Sequence, residues 1–125
     1  MMASQENPTP EFLEGAYGYQ HRNTDGGEVE TEQLTIQLDK GGEFYYSHYH
    51  NRYDAFDGDT TSTKSAAQGR WYLVQPGGKE VLLHGHQTDN KVNYKHSVDE
   101  DATAHEATLA FHQVYSVEDL QKMRK

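Results

Sequence analysis

Between Leu34 and Tyr46 the chain reads Leu-Thr-Ile-Gln-Leu-Asp-Lys-Gly-Gly-Glu-Phe-Tyr-Tyr. Apolar and polar residues alternate, break at Lys40-Gly41-Gly42, and resume. A period of two is the spacing of one face of a strand, and paired glycines supply the backbone angles of hairpin turns. The segment predicts a β-hairpin in which Leu34, Ile36 and Leu38 face a core while Thr35 and Gln37 face away. A paired strand exposes its other edge, so further strands or a cover must follow.

The rest of the chain supplies them. Gly15–Arg22 alternates with Tyr17, Tyr19 and His21 on one face, and Asn23-Thr24-Asp25-Gly26-Gly27 turns it into a second strand, Val29–Asp39. A third spans Glu43–Tyr53, a fourth Gly69–Gln75, and Pro76-Gly77-Gly78-Lys79 turns into a fifth, Glu80–Gln87. The polar stretch at positions 54–68 reads as a long loop. Thr88-Asp89-Asn90 reads as a turn into a sixth strand, Lys91–Val98, and an acidic loop at 99–104 precedes a seventh, Glu106–Tyr115. Ser116, with Asp119 three places on, is placed to cap a short C-terminal helix that ends in basic residues. Residues 1–10 read as a flexible leader, with Phe12-Leu13 plugging one end of a single domain over 11–125. The expected class is all-β: an antiparallel up-and-down meander of about seven or eight strands in a small barrel or flattened barrel.

Leu, Ile, Val and Phe fill only 20 of 125 positions, but nine tyrosines and one tryptophan add buriable area. The core should be modest and aromatic, and a ligand or partner subunit, such as a second copy in a homo-oligomer, would help to stabilise it. With no cysteine, disulfides, thiolate metal sites and a Cys nucleophile are excluded. The formal charge of −9 disfavours nucleic acid and anionic lipid as partners. No apolar run suits a signal or a membrane span, so a cytoplasmic location is expected.

Gly15-Ala16-Tyr17 opening the first strand, the hairpin over 34–46, and Gly69-Arg70-Trp71 before a Gly-Gly turn resemble the rhythm of lipocalin-like, or calycin-type, small barrels. Those barrels carry Trp where Tyr17 stands here, and the Trp of this chain is mid-sequence. The resemblance implies a cavity for a small apolar or amphipathic ligand. Tyr17, Tyr19, Tyr46 and Trp71 are the expected lining of such a site in a non-enzymatic binding domain.

Two other functions are written in the residues. His48-Tyr49-His50 and His84-Gly85-His86 are H-x-H pairs, and on a strand such imidazoles share a face about 6.5–7 Å apart. With His96 or His112 nearby they suggest a divalent metal in a cupin-like framework, with His48, His50, His84 and His86 as ligands. Polar, metal-free histidines are the plainer reading, and protonating all eight would change the net charge substantially in mild acid. The acidic balance and the aromatic strand Phe44–Tyr53 also suit a protein-interaction module for a basic partner. Asp54, Asp57 and Asp59 share a loop without EF-hand spacing, and no nucleophile-elbow or phosphate-loop motif occurs.

Overall fold

A computed structural model describes residues 8–95, 101–105 and 109–125. A 3-10 turn, Glu11–Leu13, leads into seven strands: β1 Gly15–Asp25, β2 Glu28–Leu38, β3 Glu43–Asp54, β4 Asp59–Leu73, β5 Glu80–Lys95, β6 Asp101–His105 and β7 Ala110–Ser116. A helix, α1 Val117–Lys122, follows. The strands form one antiparallel sheet in the order β1 to β6. β5 is long enough to serve two partners, β7 along Glu80–His86 and β6 along Lys91–Lys95. The alternation therefore yields the expected all-β meander, with the capped helix at its end: Ser116 Oγ accepts from the Asp119 amide at 3.0 Å.

Strand register explains how the sheet bends. Phe44, Gly69, Gly85 and Phe111 are direct neighbours across β3, β4, β5 and β7. In a flat sheet the outer two would stand about 14 Å apart, three strand spacings. Their rings lie 5.7 Å apart. The sheet curls, and the two glycines clear the floor over which the rings meet. Around this pair sit Tyr17, Ile36, Leu38, Trp71, Val81 and Leu83, all essentially inaccessible to solvent. Leu13 plugs one end of this core, whereas Phe12 beside it is 59% exposed.

The ladders do not close into a barrel, for among the described residues β1 and β7 do not pair with each other. The helix and the residues after it span that gap. Leu120 is buried in the core. The Met123 carbonyl accepts from the Gly18 amide at 2.8 Å, and the Lys125 amide donates to Ala16 at 3.0 Å. Arg124 lies over the Tyr17 ring and donates to the carbonyls of Phe12 and Glu14 and to the Tyr17 hydroxyl. This tail is a short substitute for the strand that closure would need.

Away from the core the sheet continues as a polar extension. Both faces are wet there, so no hydrophobic pattern sets the register. Polar pairs line the extension instead: Glu28 with Arg52, Glu30 with His50 at 3.3 Å, and Glu32 with His48 at 2.7 Å. Each acid on β2 reaches the base beside its own cross-strand neighbour, a repeated diagonal that suits sheet twist.

Several sequence expectations need correction. Most of the polar stretch at 54–68 is strand, since β4 begins at Asp59 and pairs with both β3 and β5. Its Thr60, Thr61 and Thr63 favour extended backbone, but beyond the core they have no apolar partners with which to alternate. Thr88-Asp89-Asn90 is not a turn. β5 runs through it, and the ladder slips from Ala66–Asp89 to Ala67–Gln87, so Thr88 is the extra residue of a bulge. Asp101–His105 is strand rather than loop, and the last strand begins at Ala110. The end of the expected sixth strand and His96 lie outside the described residues. At Pro8 the supposed leader already has a partner, for its carbonyl accepts from the Leu73 amide at 2.8 Å. Among the described residues no helix is long and apolar enough to cross a membrane.

Candidate functional site

The gap between β1 and β7 leaves an open cleft of about 430 Å³ on the concave face. Its floor follows from register, because Tyr19, Leu34 and His48 are direct neighbours across β1, β2 and β3. Tyr46, one inward position before His48, and Tyr115 on β7 add the facing wall. Asp119, Lys122 and Met123, from α1 and its end, form the rim. Leu34 and Met123 are apolar, the three tyrosines are amphipathic, and the rim is charged.

A connected polar shell holds these side chains. His48 Nε2 donates to Glu32 Oε2 at 2.7 Å, and the Tyr19 hydroxyl is bonded to the same carboxylate. On the opposite wall Tyr115 donates to Gln113 Oε1, and Tyr46 is also bonded to Gln113. Burial raises the pKa values of Tyr19, Tyr46 and Tyr115. Glu32 pushes up Tyr19, while Tyr46 and Tyr19 push up Tyr115, so the phenols are close enough to feel one another. All three remain uncharged at neutral pH.

The His48 hydrogen bond holds Glu32 below the ordinary glutamate range, against the opposing effect of burial. A depressed folded-state value stabilises the fold above the unfolded value near pH 4.3, and that contribution is lost as pH falls through the folded one. The Glu32 carboxyl carbon, followed by NMR, should therefore titrate below an ordinary glutamate, and His48→Ala should move its midpoint upward. An unchanged midpoint in that variant would show that His48 does not set it.

Of the four expected ligand-binding residues, Tyr19 and Tyr46 line this cleft. Tyr17 and Trp71 instead belong to the core, at 0% and 1% exposure. The Tyr17 hydroxyl donates to the Leu13 carbonyl at 2.5 Å, and Trp71 Nε1 donates to the Asp39 carbonyl at 3.0 Å. Their polar tips are used in holding the chain together. Leu34, Tyr115, Asp119, Lys122 and Met123 complete the cleft without having been expected as ligand-binding residues. Tyr115 could have been found from its spacing, since Phe111, Gln113 and Tyr115 share the inward face of one strand.

The two H-x-H pairs do not converge. His48 and His50 lie on the concave face against Glu32 and Glu30. His84 and His86 neighbour Arg70 and Gln68 on the outer face, where the His84 ring meets His112 edge-on with centroids 5.8 Å apart. Among the described residues no three His, Asp or Glu side chains are grouped as a metal site would need. The aromatic strand divides as alternation requires: Phe44 and Tyr46 face inward, while Tyr45 and Tyr53 are exposed on the other side and Tyr49 accepts a hydrogen bond from Asn51. Comparison with protein-family models, with curated proteins and with solved structures returns no match.

Proposed function

We propose that this chain is a non-enzymatic binding domain that holds a small amphipathic molecule in the cleft between β1 and β7. The observation that carries this reading is the convergence of Tyr19, Tyr46 and Tyr115 over Leu34 and Met123 in about 430 Å³. That volume lies within the range of small-molecule sites, and an apolar floor with a few fixed polar groups is their usual lining. The tyrosines combine large contact area with hydroxyl tips already tied down by Glu32 and Gln113, so little ordering remains to oppose binding. The rhythm shared with lipocalin-like barrels points the same way, with the cleft at the unpaired seam taking the part of a barrel mouth.

The Met123 methyl group is a direct reporter. Titration with phenylbutanol should shift its NMR signal saturably, together with ring signals of Tyr19 and Tyr115. Tyr115→Ala should weaken the apparent affinity about tenfold, the loss of one aromatic wall. A shift that never saturates, or one that moves only residues of the outer face, would remove this reading.

A further inference from the structure

Three outer features of the molecule are weaker than the cleft. The cavity of about 420 Å³ lined by Gln33, Thr35, Ser47, Tyr49 and Lys64 has a single aromatic ring and no carboxylate in its wall. The cavity of about 270 Å³ beside Arg70 and His86 is smaller than the cleft and has a more polar wall. The His84–His112 pair offers two exposed imidazoles and, among the described residues, no third ligand. The cleft itself says more, because its charges are distributed unevenly.

Resting on the binding-site reading above, we infer that the molecule held in the cleft carries a positive charge, an amine or ammonium group on an apolar body. Three phenol rings line the cleft, and a carboxylate lies beside two of its residues on the side away from the core. Aromatic faces are negative and attract cations, most strongly where water is displaced. Tyr19, Tyr46 and Tyr115 supply three such rings, and Glu32 stands directly behind Tyr19 and His48. Asp119 adds a second carboxylate at the rim.

The basic side chains nearby have partners of their own. Lys122 lies 3.5 Å from Glu118, and at 70% exposure it reaches into solvent. His48 gives its Nε2 hydrogen to Glu32. Arg124 lies against Tyr17, bonded to the carbonyls of Phe12 and Glu14. An anionic ligand would face Glu32 and Asp119, and these bases are already partnered. A cation finds ring faces and a carboxylate held in place, and the chain's net charge of −9 draws it in.

Phenylbutylamine, phenylbutanol and phenylbutyrate share one carbon skeleton and differ in charge, so calorimetric titration of the full chain with all three separates the terms. The amine should bind at least tenfold more tightly than the alcohol, and the acid most weakly. Glu32→Gln should cost the amine about five- to tenfold more than it costs the alcohol, and wild-type circular dichroism for that variant would confirm its fold. Equal affinities for amine and alcohol would overturn the charge inference and leave the cleft as an amphipathic site. Tightest binding of phenylbutyrate would overturn it in favour of an anion held by Lys122. If none of the three moved the Met123 signal, the cleft reading would fall and this inference with it.

Discussion

Trp71→Ala should remove about 3–5 kcal/mol of stability, the usual cost of truncating a fully buried Trp. Small domains are stable by only about 5–15 kcal/mol, so the variant should sit close to its unfolding midpoint in plain buffer. The loss is not packing alone. Trp71 Nε1 donates to the Asp39 carbonyl, and its backbone amide donates to Gly42 at 2.9 Å, so one residue of β4 holds the turn between β2 and β3 from two directions. Trp71→Phe keeps most of the ring volume and removes one of two hydrogen bonds to the Asp39 carbonyl, which still accepts from the Gly42 amide at 3.2 Å. The lost bond should cost about 0.5–1.5 kcal/mol. Urea denaturation followed by circular dichroism would rank the two variants, and an alanine variant within about 1 kcal/mol of wild type would mean that the aromatic core is not what holds the sheet in its curl.

Gly85→Ala should be as damaging, although it adds only a methyl group. A β-carbon at Gly85 would land against the Gln68 carbonyl and 2.8 Å from the Gly69 α-carbon. Both obstacles are main chain, so neither can swing aside without parting β4 from β5. Overpacking in well-filled interiors costs about 1–3 kcal/mol and sometimes more, and a backbone obstacle places this site at the top of that range or beyond it. The Phe44–Phe111 contact over the glycine floor should open with it, which the ring signals of Phe111 would register. Gly26→Asn is the matching control. Gly26 has φ +55° in an open turn with nothing near its missing side chain, and asparagine tolerates that conformation, so its unfolding midpoint should barely move.

What was legible in the sequence is what local alternation can carry. The hairpin around Lys40-Gly41-Gly42, the buried face of Leu34, Ile36 and Leu38, and the Ser116 cap were all written in runs of a few residues. The polar half of β4 was not, because its strand state comes from ladders on both sides rather than from its own pattern. Thr88-Asp89-Asn90 has turn composition, but Ala66 and Ala67 across from it absorb the extra residue. The site was harder still. Tyr19 and Tyr46 stood out as aromatic inward positions, whereas the cleft they share exists because β1 comes to lie near β7 and α1 bridges them. No periodicity reports such a meeting. The histidine pairs failed for a related reason: which face a strand residue takes relative to another strand depends on every register and bulge between them.

The tail that seals β1 has a bearing on how this protein is made. Arg124 meets Tyr17 across 107 positions of sequence, so β1 waits for Met123, Arg124 and Lys125 before its outer edge is satisfied. Contacts of such separation slow folding, and until they form β1 stands as an unsealed strand. Those three residues thus act as a late-closing clasp, and the interval before they dock is when neighbouring chains have the best opportunity to pair with that edge.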